Sequence, residues 1–245
     1  MATQPPNHQA TVVRTTGLWH EVRMEDGEVV SARVPGRFRL REEMVTNPVA
    51  VGDQVMVAMQ ADETGVIEEI LPRRNKLSRK AAGRKAGMEH VIVANVDFAW
   101  CVQSVKLPRF NIGFIDRFFV VAEAYGIPAG LVVNKLDLLA DKKRERLGEA
   151  VGVYEDLGYP VLLVSAETGE GLDDFSAALD GQLSAIAGPS GVGKSTLLNA
   201  IEPGLDLRTG TVSKKTQKGR HTTTFAELHR VGDAGYVIDT PGIRE

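Results

Sequence analysis

The fold is decided by the stretch Leu183-Ser184-Ala185-Ile186-Ala187, which leads directly into Gly188-Pro189-Ser190-Gly191-Val192-Gly193-Lys194-Ser195. An apolar run of strand length precedes a loop of the form G-x-x-x-x-G-K-[ST], and the residues from Thr196 onward are typical of a helix. Glycines let the backbone curl so that successive N–H groups face a phosphate, and the helix N-terminus adds favourable partial charge. The stretch predicts a nucleoside triphosphate site along residues 188–196, with Lys194 on the β- and γ-phosphates and Ser195 on Mg²⁺.

A second motif, Asn134-Lys135-Leu136-Asp137, indicates which base the nucleotide carries. It follows the apolar run Ala129–Val133, at the edge where open α/β sheets bind ligands. The Asp137 carboxylate can accept hydrogen bonds from both N1–H and the exocyclic amine of guanine, while Asn134 can serve the N7/O6 edge and the Lys135 stem can lie along the ring. Adenine would leave Asp137 unpaired, and sites of this kind reject the wrong ligand by about 10⁴-fold. The motif predicts GTP or GDP as the ligand.

Two further strand ends carry matching chemistry. The run Val161–Val164 leads into Ser165-Ala166, where the Ala166 N–H could face guanine O6. The run from Val237 ends in Asp239-Thr240-Pro241-Gly242, in which Asp239 could hold Mg²⁺ through water and the Gly242 N–H could reach the γ-phosphate. Four such motifs together argue against an unrelated P-loop ATPase or kinase.

The order of these motifs predicts a circular permutation. In Ras-like GTPases the phosphate loop comes first, whereas here residues 134–137 and 165–166 precede it and residues 239–242 come last. Segment 172–182 would join the usual last helix to the usual first strand. Apolar strands alternating with helices from Val91 onward predict an α/β domain with a mostly parallel sheet and helices on both faces. We expect this incomplete, circularly permuted GTPase domain to span residues 91–245.

The region before this domain divides into three predicted segments. Residues 1–10 are polar and expected to be disordered. Residues 11–72 show short strands between turn signals, which indicates a small all-β barrel of SH3-like or OB-like type. Residues 73–90 form a basic linker that is either simply solvated or also a phosphate-backbone contact for RNA. Its cations are Arg73, Arg74, Lys76, Arg79, Lys80, Arg84 and Lys85.

Composition narrows the class of protein. The net charge of −3 excludes a wholesale basic coating, so any nucleic-acid contact must come from a local patch. The single cysteine, Cys101, excludes a disulfide framework and is expected to be a buried structural thiol. Neither a secretory signal nor an apolar run of about 18 residues is visible, so we expect a cytoplasmic protein with no membrane partner.

The barrel, the basic linker and the permuted domain with Gly188–Ser195, Gly219–Thr224 and Asp239–Gly242 resemble the small-ribosomal-subunit-dependent GTPases of the RsgA (YjeQ) family. The resemblance covers essentially the whole chain. It implies an OB-fold for the barrel, GTP hydrolysis stimulated by the 30S subunit, and a role in late maturation of that subunit. The implied partners are the 30S subunit and its 16S rRNA, and we expect a monomer.

In Ras-like GTPases the glutamine directly after the D-x-x-G motif orients the attacking water. Here that position is Ile243, so another residue must orient the water. His221 is the candidate that replaces the glutamine, and the resemblance also implies a catalytic role for this histidine; the alternative is an exposed loop residue. One residue of Thr222–Thr224 should contact Mg²⁺ and the γ-phosphate, and Thr223 is the candidate among the three.

The family continues past the D-x-x-G motif into a helical domain that binds Zn²⁺, whereas this sequence stops at Glu245. We therefore expect a fragment of a longer protein, with a truncated variant as the alternative and Zn²⁺ only in the absent domain. The competing functional hypothesis is a nucleotide-sensing rRNA-binding module with negligible hydrolysis in this form.

Overall fold

The computed structural model describes residues 7–36, 38, 46–80, 88–205, 207 and 227–239, with the side chains of residues 79, 80, 141 and 239 outside the description. The chain divides into two compact units. The barrel unit comprises Met1–Val96 with Thr224–Leu228, and the sheet unit comprises Asp97–Thr223 with His229–Glu245.

The barrel unit is built on five strands that close in the order β1-β2-β3-β5-β4. Neighbouring strands are antiparallel except for the parallel pair β3–β5. Alternating side chains point inward, so Val12, Val22 and Ile67 are fully buried in the barrel core. This closed five-stranded barrel is OB-like. It therefore belongs to the second of the two types, SH3-like or OB-like, that the sequence pattern left open. Its strands are β1 (Asn7–Thr15), β2 (Trp19–Met24), β3 (Val29–Arg33), β4 (Gln54–Met59) and β5 (Gly65–Ile70).

The start of the barrel differs from the expectation for residues 1–10. Strand β1 already begins at Asn7, where Asn7 pairs with Ala58 and His8 with Val57. Residues 7–9 are exposed, so apolar burial is not what orders them. They are held by the backbone ladder to β4, which hydrophobic patterning cannot reveal.

Residues 73–90, which were expected to form a linker, also differ from that expectation. Residues Lys76–Lys80 form strand β6, which pairs antiparallel with β7 (Glu89–Ala94). This hairpin joins the barrel unit through a bridge between Val51 and Val93, and the Ala94 N–H donates to the Val51 carbonyl at 2.8 Å. The division between the two units therefore falls after Val96.

The sheet unit contains six strands in the order β10-β9-β8-β11-β13-β12. All neighbouring pairs are parallel except β12 with β13. The strands are β8 (Phe98–Ser104), β9 (Ala129–Asn134), β10 (Val161–Leu163), β11 (Leu183–Ala187), β12 (His229–Val231) and β13 (Gly235–Asp239). The helices among the described residues are α1 (Ile112–Ala124), α2 (Asp141–Asp156), α3 (Leu172–Leu179) and α4 (Lys194–Ile201).

The central strands are mostly apolar and buried because the sheet is covered on both faces. Every residue of β9 is buried, and Trp100 of β8 packs edge-on against Phe175 of α3 with ring centroids 5.7 Å apart. Cys101 is fully buried in β8, as predicted, and burial raises the pKa of its thiol to about 12.

The strand order places the sequence motifs at one edge of the sheet. From β8 the chain proceeds outward to β9 and β10, whereas β13 lies on the other side of β11. The order therefore reverses between β8 and β11, and open α/β sheets bind ligands in the crevice at such a reversal. No helix among the described residues is long and apolar enough to cross a bilayer.

Candidate guanine-nucleotide site

The loop between β11 and α4 has a backbone that only glycine can follow. Gly191 and Gly193 have φ angles of +85° and +96°, in the left-handed region. A Cβ atom at Gly188 would collide with the Val102 carbonyl oxygen, and one at Gly193 would collide with the Asn134 side-chain nitrogen. The loop therefore forms a backbone-lined cradle, closed by the N-terminus of α4, which suits a phosphate group.

The cationic side chain of the loop lies over this cradle. The Lys194 ammonium donates to the Gly188 carbonyl at 2.9 Å and to the Pro189 carbonyl at 3.4 Å. Ser195 is half-buried in the first turn of α4, and Ser190 and Thr196 are exposed beside it. An ammonium, a hydroxyl and a helix N-terminus at one point can together hold a phosphate and its cation.

Asn134 ties three loops together at the end of β9. Its side chain is 1% exposed, and Nδ2 donates to the Val192 carbonyl at 3.0 Å. Its Oδ1 accepts from the Lys135 N–H at 2.7 Å and from the Ala166 N–H at 3.3 Å. The phosphate loop and the Ser165-Ala166 loop are thus fixed to the same buried amide, which positions the two ends of a nucleotide site relative to each other.

Lys135 lies between the phosphate loop and the loop that follows β8. Its Nζ donates to the Gly191 carbonyl at 2.6 Å and also to the Leu107 carbonyl. Burial lowers the pKa of this ammonium, and the nearby Asp137 carboxylate opposes that shift. Leu136 is buried and anchors the turn that carries Asp137.

Asp137 presents its carboxylate at the surface of this crevice. Its Oδ1 accepts from the Ser165 hydroxyl at 2.6 Å, and the Ser165 side chain is fully buried. The Ser165 Oγ in turn accepts from the Thr168 N–H at 3.2 Å, so the hydroxyl is oriented from behind. Because a carboxylate offers about four acceptor positions, Asp137 can still accept two donors from the edge of a base.

Several residues that support these loops carry no motif in the sequence. Arg144 of α2 forms a bidentate ion pair with Glu170 at 2.7 and 3.1 Å and donates to the Leu136 carbonyl at 3.5 Å. The Glu170 carbonyl accepts from the Ser165 N–H at 2.9 Å. Gln103 and Ser104, both buried at the end of β8, hold the following loop. Their partners are set by the tertiary fold, so sequence spacing offers no signal for them.

The remaining predicted residues are only partly described. His221, Thr223 and Gly242 lie outside the described residues, and of Asp239 only the backbone is described. Asp239 ends β13 and pairs with Ile186, which places it beside the end of β11, where the phosphate loop begins. Hydroxyl and carboxylate oxygens at Ser195 and Asp239 are donors that Mg²⁺ prefers. Over the part of the chain that the structure describes, no cluster of three His, Cys, Asp or Glu residues is suited to a metal.

The basic segment makes internal contacts that its sequence does not announce. Arg73 forms an ion pair with the fully buried Asp53 at 2.7 Å, and Lys76 forms one with Glu89 at 2.6 Å. Arg74 is exposed and donates to the Asn95 carbonyl at 3.0 Å. The side chains of Arg79, Lys80, Arg84 and Lys85 lie outside the described set. Arg73 and Lys76 are thus partly committed to holding the barrel unit together.

The fold and the site define a circularly permuted P-loop GTPase, which agrees with the comparisons to known proteins. Family models match residues 70–245 as RsgA GTPase and residues 9–67 as RsgA N-terminal domain. The chain belongs to the RsgA GTPase family.

Relatives and solved structures give the same assignment. A Bacteroides fragilis protein named small ribosomal subunit biogenesis GTPase RsgA is 41% identical over 95% of this chain and 75% of the relative. A Porphyromonas gingivalis protein of the same name is 42% identical over the same shares. The crystal structure of YjeQ from Thermotoga maritima matches with a TM-score of 0.77 and 35% identity, covering 97% of this chain and 75% of that one. YloQ, described as a circularly permuted GTPase, matches with a TM-score of 0.72 and 28% identity over 100% and 75%.

Proposed function

We propose that this chain hydrolyses GTP as a biogenesis factor of the small ribosomal subunit, that it acts late in maturation of the 30S particle, and that the subunit stimulates hydrolysis. The observation that carries the GTP assignment is the placement of Asn134, Asp137 and Ser165 at the same sheet edge as the phosphate loop. The names of the relatives support the ribosomal role.

The roles of the site residues follow from their chemistry. Asp137 accepts the two guanine donors, and the Asn134 amide holds both loops and serves the N7/O6 edge. The Ala166 N–H, which donates to Asn134 Oδ1 in this structure, would turn to O6 when the nucleotide binds. The amides of residues 188–196 and the Lys194 ammonium bind the β- and γ-phosphates and offset the charge that develops there. Leu136 packs beneath the base-binding turn.

The proposed cation is Mg²⁺, with Ser195 and Thr223 as direct ligands and Asp239 as a ligand through water. When bound, Mg²⁺ would offset the negative charge of the triphosphate. His221 is proposed to orient the attacking water, since the position after Gly242 is Ile243, whose side chain cannot hydrogen-bond. The Gly242 N–H is proposed to contact the γ-phosphate.

The proposed partner is a small ribosomal subunit with its 16S rRNA, and we also propose that the protein acts as a monomer in the cytoplasm. We propose that the basic segment of residues 73–90 contributes phosphate contacts to RNA. We expect Arg73 and Lys76 to contribute least, because their charges are already offset by the carboxylates of Asp53 and Glu89. No residue of this chain is assigned to Zn²⁺.

Phosphate release with GTP and with ATP, each with and without purified 30S subunits, tests the proposal. We expect turnover with GTP only, and faster turnover when subunits are added. In the same assay, His221→Ala is expected to lower turnover, while GTP binding, measured separately by titration, stays unchanged.

Three other results would contradict parts of the proposal. Equal use of ATP would overturn the guanine assignment, and GTP turnover that subunits do not change would overturn the ribosomal stimulation. Binding of GTP and subunits with no measurable turnover would support the nucleotide-sensing module instead.

A further inference from the structure

Two lysines make crossed contacts between the loop after β8 (residues 105–111) and the turn after β9 (residues 135–139). Lys135 donates from its ammonium to the Leu107 carbonyl in the first loop. Lys106, from that loop, donates to the Leu138 carbonyl in the turn at 3.1 Å. Each segment therefore supplies one ammonium and one carbonyl to the other, and the turn so held carries Asp137.

The loop lies where the strand order reverses. Strands β8 and β9 are parallel neighbours with Ser104 opposite Asn134, so the segments that follow them start side by side at the same edge of the sheet. Since β8 also neighbours β11, the loop at residues 105–111 and the phosphate loop lie on either side of the ligand crevice. A contact from this loop can therefore act directly on the base-binding turn.

The loop at residues 105–111 is itself held by buried polar groups at the end of β8. The Ser104 hydroxyl donates to the Pro108 carbonyl at 2.9 Å, and the buried Gln103 Oε1 accepts from the Asn111 N–H at 3.3 Å. The Val105 N–H donates to the Asn134 carbonyl at 3.1 Å. Lys106 thus projects from a segment whose backbone is fixed on both sides, and its ammonium can serve as a defined anchor.

The crossed contacts join two strained residues. Leu107 has a φ of +52° and Lys135 a φ of +68°, both in the left-handed region that non-glycine residues rarely adopt. Such conformations persist only where the surroundings hold them, and they cluster at ligand sites. The Leu107 side chain is 77% exposed, so its own burial does not hold the conformation.

We propose that Lys106 is a positioning residue for guanine specificity, because its ammonium anchors the Leu138 carbonyl and so holds the Asp137 turn in register with the base. This inference rests on the proposed guanine site. The turn has other supports, namely the Ser165 hydroxyl on Asp137 and Arg144 on the Leu136 carbonyl. Loss of Lys106 is therefore expected to loosen the turn and leave it in place.

The test compares binding of GDP and inosine diphosphate to the full chain by titration calorimetry. Hypoxanthine lacks the exocyclic amine, so inosine diphosphate can use only one of the two donors offered to Asp137. For Lys106→Met we expect GDP affinity to fall about 3- to 10-fold, the range for one lost hydrogen bond, while inosine diphosphate affinity changes less than about twofold. The ratio of GDP affinity to inosine diphosphate affinity should therefore be smaller in Lys106→Met than in the wild type.

Two further variants isolate the effect. Lys106→Arg keeps a donor at this position and should retain most of the wild-type preference. Lys142→Met removes an exposed lysine from the first turn of α2, close in sequence to the same turn, and should leave both affinities unchanged.

The possible failures are distinguishable. If the wild-type chain does not prefer GDP to inosine diphosphate, the proposed guanine site fails, and the role of Lys106 fails with it. If the wild-type preference is present but Lys106→Met keeps the same ratio of affinities, the inference is overturned and the guanine site stands. Equal loss of both affinities, with or without a lower melting temperature, also overturns the positioning role.

Discussion

At the scale of single residues, the site depends on how closely the phosphate loop approaches Asn134. The side-chain nitrogen of Asn134 occupies the space that a Cβ atom at position 193 would need. The same nitrogen donates to the Val192 carbonyl, so the loop and the amide are fitted to each other. A glycine at position 193 is therefore required both by its φ of +96° and by this contact.

Replacing Gly193→Ala is expected to weaken GDP binding by at least about tenfold, because the loop must move away from Asn134 or adopt another φ. Titration calorimetry on the full chain measures this change, and circular dichroism checks that the fold is kept. The matched control is Gly148→Ala in α2, where a Cβ meets nothing within 4 Å. Alanine favours a helix by about 1 kcal/mol over glycine, so the control should keep its fold. Its GDP affinity should therefore equal that of the wild type. Unchanged GDP affinity in Gly193→Ala would contradict the steric argument.

At the scale of elements, the barrel is joined to the β6–β7 hairpin by a buried ion pair. Asp53, before β4, is fully buried and accepts from Arg73 through both carboxylate oxygens, at 2.7 and 2.8 Å. Its Oδ2 also accepts from the Ala50 N–H at 2.8 Å, and Arg73 donates further to the Pro48 carbonyl. The pair therefore fixes the 48–53 loop to the segment that leads into β6.

Replacing Asp53→Asn keeps the size of the side chain but leaves the Arg73 guanidinium without its anion. We expect a loss of about 3 kcal/mol in the free energy of unfolding of the barrel unit, at the low end for a broken buried pair because Arg73 stays 16% exposed. Hydrogen exchange read by mass spectrometry should show faster exchange in barrel peptides, while peptides from residues 97–205 stay unchanged.

The control for this prediction is Asp26→Asn, which changes an exposed turn carboxylate in the same barrel. The Asp26 side chain accepts from the Glu28 N–H at 3.0 Å, and an asparagine oxygen can do the same. Its effect should stay within about 0.5 kcal/mol. Equal exchange rates in Asp53→Asn and Asp26→Asn would show that the ion pair does not stabilise the barrel.

At the scale of the whole molecule, the permutation leaves the sheet intact while changing where the chain enters it. Within the sheet unit, strands β8, β9 and β10 come first in sequence, and β11 and β13 then extend the sheet on the other side of β8. The ends of β9, β10, β11 and β13 still meet at one edge because all four strands are parallel. The site therefore depends on the spatial order of the strands and not on their order in the sequence.

The single cysteine offers a measure of how often this sheet opens. Cys101 is fully buried in β8, and burial raises the pKa of its thiol to about 12, so the reactive thiolate is scarce in the folded protein. We expect almost no reaction with a disulfide reagent under native conditions and complete reaction in denaturant. GDP with Mg²⁺ should slow the native reaction further, because a ligand of the folded state lowers the open population.

Ala177→Cys supplies the control for this measurement. Position 177 lies on the exposed face of α3, so its thiol should react within the first minutes while Cys101 does not. Rapid reaction of Cys101 in the native protein, without denaturant, would contradict the buried position of β8.

The sequence predicted most strands of both units, and it missed strand β6, which is held by pairing. Strands β8, β9 and β11 are mostly apolar, so their pattern is visible without the fold. Strand β6 contains three cations in five residues and was expected to be part of a linker. Its order comes from the backbone ladder to β7 and the Lys76–Glu89 pair, neither of which produces an apolar pattern.

The sequence by itself determined the local chemistry of this protein. A strand followed by a glycine-rich loop and a helix can form a phosphate cradle from contiguous residues, and Asn134–Asp137 carries the proposed base-reading groups within four positions. Only the tertiary structure decided what holds those groups in place. Lys106 and Leu138 are 32 residues apart, and Asp53 and Arg73 are 20 apart. Such contacts form only once strand order and barrel closure bring the segments together, because a hydrogen bond or ion pair depends on distances of about 3 Å that sequence spacing does not specify.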